Sequence, residues 1–183
     1  MATQLQRFAE ALFPDTIRCL GRALQPLSVG HILLLARLEH PLVLGRGLYD
    51  VASLALGVAV CSMPYDRVVA SRDTWWFRCW LHWLGVKAAR DLRARSVFTQ
   101  YLIQGATGPK SCVRDLSGNT PSAGTPFWCS VLVTMQGDLG MSLSQALSVP
   151  AARALWLCSG VWEGKGAIQV ATDAEMEILG GTR

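Results

Sequence analysis

The fold is decided by the stretch Pro126-Phe-Trp-Cys-Ser-Val-Leu-Val-Thr-Met-Gln-Gly-Asp-Leu-Gly-Met-Ser-Leu-Ser-Gln-Ala-Leu-Ser-Val-Pro150, which continues as Ala-Ala-Arg-Ala-Leu-Trp-Leu-Cys-Ser-Gly-Val-Trp-Glu163. Its apolar residues recur at helical spacing, and Gly140 and Pro150 interrupt them, so the stretch predicts three short helices. Ser142 opens a Ser-x-x-Gln capping box, and proline is favoured in the first turn of a helix. The stretch therefore predicts helical architecture, and it contains no set of residues that would convert a substrate.

Helical periodicity extends through the rest of the chain. It predicts helices over residues 5–13, from Ser28 to about Glu39, from Asp50 to about Cys61 and from Asp66 to about Gln104, the last with a kink at Gly85. Ser28 and Asp50 are the predicted N-caps. No strand pattern of any strength is present.

One segment, residues 105–125, lacks an apolar period and is rich in Gly, Ser and Pro. We interpret it as a linker. The sequence thus predicts an all-α protein of about seven helices in two small lobes. Residues 1–104 form the first lobe, with the long Trp-rich helix, and residues 126–183 form the second, with an acidic tail.

Composition narrows the function classes. The chain has 183 residues, of which 51% are hydrophobic, and it contains seven Trp. The longest apolar run, Val51 to Met63, is shorter than the about 20 residues that a bilayer requires, so no membrane span is expected. Polar residues such as Arg7 and Glu10 near the start predict no signal peptide. We therefore expect a cytoplasmic protein.

The six cysteines are far apart in the sequence and are expected to be buried and reduced: Cys19, Cys61, Cys79, Cys112, Cys129 and Cys158. A disulfide framework is the open alternative. Cys79 and His82 have a spacing that a metal could use, but no second pair exists to complete a zinc site. The segment from Gly105 to Ser111 lacks the glycine pattern of a phosphate loop. The sequence predicts no catalytic residue, no cofactor, no metal and no small-molecule substrate.

Charge is concentrated in the middle of the chain. Between Asp66 and Arg95 there are seven Lys/Arg and three Asp, a net charge of +4 that equals the net charge of the whole chain. Basic residues interleaved with Trp are compatible with nucleic-acid binding, whereas a solvated strip on a core helix explains them more simply. We therefore do not expect a nucleic-acid partner.

Tryptophans give the candidate partner-binding residues. On a helical wheel Trp76, Trp80 and Trp83 share one face, which we expect to be core, and Trp75 lies on the opposite flank. The candidates for binding a protein partner are Trp75, Trp128, Trp156 and Trp162. Self-association through such surfaces is a further expectation.

Several turn and cap motifs carry a resemblance to a known family. Pro126-Phe-Trp, the segment Gly137-Asp-Leu-Gly-Met-Ser-Leu-Ser-Gln-Ala-Leu-Ser-Val-Pro150, Gly166-Ala-Ile and Thr172-Asp-Ala-Glu together resemble phage or prophage tail assembly chaperones. Upstream, Pro26-Leu-Ser-Val-Gly-His31, His40-Pro-Leu42 and Cys61-Ser-Met-Pro64 are similar to the same group. The resemblance covers roughly half of the chain.

What the resemblance implies is a non-enzymatic, cytoplasmic assembly factor that binds the apolar helices of a tape-measure-type protein before the tail polymerises. It implies no catalytic residues. A structural minor component of the virion head or tail is the alternative function, and a helical nucleic-acid-binding protein using residues 67–95 is a third.

Overall fold

The computed structural model describes residues 3–12, 14–46, 50–113 and 126–171, and for residues 111–113 it describes the backbone alone. Helices dominate this part of the chain, which confirms the predicted helical class. The sequence predicts about seven helices, and the described residues form nine: α1 (Gln4–Leu12), α2 (Val29–Arg37), α3 (Val51–Cys61), α4 (Tyr65–Ser71), α5 (Trp75–Arg90), α6 (Ala94–Gly105), α7 (Phe127–Gly137), α8 (Leu143–Ser148) and α9 (Ala151–Gly164).

Four short strands, which show no pattern in the sequence, accompany the helices in the described residues. β1 (Arg18–Cys19) and β2 (Arg22–Ala23) form an antiparallel hairpin, and β3 (Ser111–Val113) pairs antiparallel with β4 (Ile168–Val170). The hairpin turns at Leu20 and Gly21, which both have positive φ, as a type I′ turn requires. Strands of two or three residues are too short to show an alternating pattern, which is why the sequence does not reveal them.

Three predicted N-caps are confirmed by their hydrogen bonds. The Ser28 hydroxyl accepts from the His31 backbone N–H, and the Asp50 carboxylate accepts from the Ser53 N–H. Ser142 and Gln145 form the predicted reciprocal capping box. These short side chains satisfy backbone donors that the first turn of a helix leaves without intrahelical partners.

The single long helix predicted from Asp66 to Gln104 is wrong, because the chain breaks twice within it. Thr74 takes an extended conformation between α4 and α5, and Asp91 does so between α5 and α6. The Asp91 carboxylate accepts a hydrogen bond from the Arg93 backbone N–H, which favours a turn over a continuous helix. At Gly85, the position of the predicted kink, helix α5 is continuous.

Buried side chains from both predicted lobes belong to one apolar cluster, so the structure does not show the two-lobe arrangement. α3 packs on α5 and α6, α2 packs on α8, and α6 packs on α9. A backbone hydrogen bond of 2.6 Å from Ala151 N–H to the Leu27 carbonyl also joins the two predicted lobes. Residues 114–125 of the predicted linker and the acidic tail from residue 172 lie outside the described residues.

Of the nine helices in the described ranges, not one combines the length and the apolar character needed to cross a bilayer.

Candidate protein-binding surface

Helix α5 presents its two sides to different surroundings. It begins after Thr74, whose hydroxyl accepts a hydrogen bond from the Phe77 backbone N–H at 3.3 Å. One side, with Phe77, Leu84 and Ala88, is buried against the core, where α5 packs on α3. The other side is exposed although most of its residues are apolar, which is the reverse of ordinary amphipathic patterning.

The exposed side forms what we call the tryptophan surface, defined as Trp75, Trp76, Cys79, Trp83 and Val86. Trp75 is 60% exposed and Trp76 is 67% exposed. Their rings stack on each other with centroids 3.7 Å apart and planes tilted by 29°. Trp83 is 43% exposed and lies on the same face two helical turns further along. This cluster of exposed indoles is therefore the candidate interaction surface of the described residues.

This exposure corrects the expectation that Trp76, Trp80 and Trp83 form a core face. Only Trp80 is partly buried, with its ring 5.8 Å from that of Phe77 in an edge-on arrangement. Trp75 and Trp76 lie on the same exposed surface, not on opposite flanks. Sequence reasoning therefore named Trp75 but missed Trp76 and Trp83 as surface residues.

Two cations border the surface at Trp83. The Lys87 ammonium lies 4.0 Å from the centre of the Trp83 ring, and the Arg22 guanidinium lies 5.5 Å from the centres of both the Trp80 and Trp83 rings. These distances are within the range of cation–π attraction. The surface is thus apolar along its centre and positively charged along one edge.

The other three candidate residues are partly buried at two packing sites. Trp156 packs against Phe8 of α1, with ring centroids 5.5 Å apart. The Trp162 indole N–H donates a hydrogen bond of 2.9 Å to the Thr134 hydroxyl. Trp128 and Trp162 both contact the Phe127 ring edge-on, so the structure brings these two together. The ring contacts that the structure shows for these three residues do not include Trp75.

A cleft of about 570 Å³ lies between α1, α6 and α9. Its described walls include Leu27, Tyr101 and Trp156. The Tyr101 hydroxyl donates a hydrogen bond to the Gln25 carbonyl, so this polar group is already satisfied. No Cys, His or Ser is among the described residues that line the cleft, whose polar side chains include Glu10, Asp15, Thr16 and Thr107.

Two buried histidines have structural roles. The His31 Nδ1 atom accepts from the Ser28 backbone N–H, and its Nε2–H donates to the Met63 carbonyl at 2.9 Å. The His40 Nε2 atom makes a 3.0 Å hydrogen bond with the Ser53 carbonyl. Burial lowers the pKa of both imidazoles below the ordinary value. Both rings are therefore held neutral by their surroundings.

This burial predicts that acid will destabilise the fold. Below about pH 6.5 the unfolded chain binds more protons at His31 and His40 than the folded chain does, so stability is fully present above that pH and falls as the pH drops. Each histidine should contribute up to about 1 kcal/mol of loss between pH 6.5 and 5.5. Urea unfolding at several pH values measures this slope. His31→Gln and His40→Gln should each flatten it. A wild-type slope of zero would contradict the prediction.

The cysteines correct one expectation, because they are not all buried. Cys19, Cys61 and Cys158 are buried, Cys129 is half-buried, and Cys79 is exposed on the tryptophan surface. All five are free thiols. Burial raises the pKa of Cys19 and Cys158 to about 11 and that of Cys61 to about 12. Because the thiolate is the reactive form, these three should react slowly.

We expect Cys79 to react with a thiol reagent much faster than the three buried cysteines. Labelling of native protein followed by peptide mass mapping ranks the sites, and Cys79→Ser should remove the fastest phase. Denatured wild type should titrate six thiols, since the chain contains six cysteines. If Cys61 were labelled as fast as Cys79, the described core packing around α3 would be wrong.

Metal ligation has no support in the described ranges. There, no three His, Cys, Asp or Glu side chains come together in a way that could hold an ion. Searches against known protein families, curated proteins and solved structures find no match to this chain. The tryptophan surface is therefore the feature of the described residues that bears on function.

Proposed function

We propose that this protein is a non-enzymatic assembly factor that binds an apolar helix of a partner protein through the tryptophan surface. The observation that carries the proposal is the exposed, stacked pair Trp75 and Trp76 on a helix whose opposite side is anchored in the core. Rigid indoles on a fixed helix lose little side-chain entropy on binding, and tryptophan is enriched among residues that dominate binding energy.

The surface suits a helical ligand. An amphipathic helix can lay its apolar stripe along a helix face of this length, with anchors one or two turns apart. The cations beside Trp83, Lys87 and Arg22, could then pair with acidic residues at the border of that stripe. Each indole that is covered removes a large apolar area from water.

The resemblance to tail assembly chaperones gives this activity a setting. In that setting the ligand is an apolar helix of a tape-measure-type protein, bound in the host cytoplasm before the tail polymerises. The exposed face of α5 supports the proposal because a client kept from aggregating must have its apolar helices covered. Trp128, Trp156 and Trp162 are partly buried, so the proposal gives them no direct contact with the client.

Binding of a labelled peptide tests the proposed function. The probe is a fluorescein-labelled amphipathic helix of about 20 residues, with a leucine stripe bordered by Glu. Wild type should increase its fluorescence anisotropy, and the double change Trp75→Ala with Trp76→Ala should weaken binding at least about 10-fold. Leu92→Ala is the matched control, because Leu92 is apolar and 91% exposed but lies beyond α5. Equal loss in the control and the double variant would rule out this surface.

The alternative function, a structural minor component of the virion, predicts a different location for the protein. An assembly factor should be absent from purified particles, whereas a minor head or tail component should be found there in fixed amount. Quantitative mass spectrometry of purified virions from a producing host separates the two. Recovery at a constant number of copies per particle would favour the structural component.

A further inference from the structure

Residues on the exposed face of α5 lie at equal distances on either side of Trp83, but the two halves of the face differ in chemistry. Trp76 lies seven residues before Trp83 and Arg90 lies seven residues after it, two helical turns in each direction, or about 10 Å along the axis. Cys79 and Lys87 lie four residues before and four residues after Trp83. The N-terminal half of this face is therefore aromatic, and the C-terminal half is cationic.

We propose that a second copy of this chain covers the tryptophan surface in an antiparallel contact centred on Trp83. A two-fold axis through Trp83 sends the aromatic half of one helix to the cationic half of the other. The stacked pair Trp75 and Trp76 of one copy then meets Arg90 of the second copy, and the same contact repeats on the other side of the axis. Such an isologous contact is closed, so it yields a dimer and not a filament.

The charge distribution along the exposed face of α5 favours a second copy of the chain as the occupant, and it favours the antiparallel orientation. The face of an indole carries negative partial charge and attracts a guanidinium, most strongly where water is excluded. Arg90 makes no ion pair within the part of the chain that the structure describes, so it can serve this contact without breaking another. A parallel pair would instead place Arg90 beside Arg90, which costs energy through like-charge repulsion, and would leave Trp75 and Trp76 without a cation.

The size of the face predicts a weak dimer. One face of a 16-residue helix is too small to bury the about 1,600 Å² of a standard interface, so dissociation in the micromolar range is expected. At protein concentrations above its dissociation constant, such a dimer would cover the surface in the absence of a client, and a client helix would compete with the second copy. This regulatory consequence rests on the proposed function, whereas the dimer itself does not.

Sedimentation velocity of the full chain from about 1 to about 200 μM tests the contact. Wild type should shift from monomer to dimer across this range. Trp76→Ala and Arg90→Ala should each raise the dissociation constant about 10-fold, and the double variant should do less than the product of the two effects, because both remove one interaction. Arg78→Ala, on an exposed arginine of α5 outside the defined surface, should leave dimerisation unchanged.

Disulfide trapping tests the orientation. In an antiparallel contact centred on Trp83, Cys79 of one copy faces position 87 of the other. Oxidised Lys87→Cys should therefore form a covalent dimer through Cys79 and the introduced thiol, identified by mass spectrometry. Within one chain these positions are about 12 Å apart along the helix, beyond the about 7 Å between Cα atoms that a disulfide tolerates. Adding Cys79→Ser should abolish that cross-link.

Three results would overturn the inference. The first is a wild type that stays monomeric at the highest concentration, and the second is a dimer whose dissociation constant changes with neither Trp76→Ala nor Arg90→Ala. The third is a cross-link from Cys79 to Cys79 in oxidised wild type, because that cross-link indicates a parallel pair. A monomeric protein that still binds the helical peptide would end this inference and leave the proposed function standing. A dimer of the described kind that does not bind the peptide would support this inference and contradict the proposed function.

Discussion

Replacing Phe98 by alanine should lower the free energy of unfolding by about 3–5 kcal/mol, the cost of removing a large aromatic side chain from a core. Phe98 is completely buried where α6 packs on α3. Its ring stacks against Tyr101 with centroids 5.7 Å apart and meets the His40 ring edge-on at 5.9 Å. Because ring neighbours on two sides are held by their own hydrogen bonds, the cavity should close only in part. Urea unfolding followed by far-UV circular dichroism measures the loss.

A control on the same helix separates loss of the core from loss of helix. Ile103 of α6 is 65% exposed, and Ile103→Ala should change stability by no more than about 0.5 kcal/mol. Comparable losses in the two variants would mean that α6 does not bury Phe98 as described. Unchanged stability of Phe98→Ala would mean that α6 is not part of the core.

Helix ends were the most predictable feature of this fold, because their signals are local. Ser28, Asp50 and Ser142 each cap the helix that the sequence assigns to them, since their side chains bond backbone groups three residues away. The reciprocal partner of Ser28 is His31, which the usual Glu or Gln pattern does not include. The missed helix start at Thr74 had the same kind of signal, because Thr74 ends the polar run Ser71-Arg72-Asp73-Thr74 directly before the apolar residues of α5.

The binding surface was only partly predictable, because a helix that is apolar on nearly all sides does not reveal which side faces the core. Trp76 and Trp83 are as apolar as Phe77 and Leu84, and only the packing of α5 on α3 makes the first two exposed. The cations give a weak signal, since Arg90 follows Trp76 and Trp83 at intervals of seven residues on one face. Tertiary contacts, and not local preference, determine which side of α5 is exposed.

Gly57→Ala should destabilise the fold by about 2–3 kcal/mol, although alanine favours helices over glycine by about 1 kcal/mol. Gly57 lies inside α3, and a Cβ atom there would come within 2.5 Å of two Phe98 ring carbons and 3.0 Å of the His40 Nε2 atom. The first distance is shorter than packed carbon atoms allow, so the Phe98 ring or α6 has to move. Close packing of the interior makes such movement costly.

The test is strict because Gly57→Ala should destabilise the protein, whereas helix preference alone predicts that it stabilises the protein. Gly85→Ala in α5 is the matched control, since a Cβ atom there meets nothing within 4 Å, and it should stabilise the protein by about 0.5–1 kcal/mol. Gly57→Ala would behave like the control if α3 and α6 were further apart than described. The effects of Gly57→Ala and Phe98→Ala should also be coupled. In a Phe98→Ala background the ring that obstructs the new methyl group is gone, so Gly57→Ala should become neutral or stabilising. Thermal and urea unfolding of the four proteins in this double-mutant cycle measure the coupling, and additive losses would show that Gly57 and Phe98 do not touch.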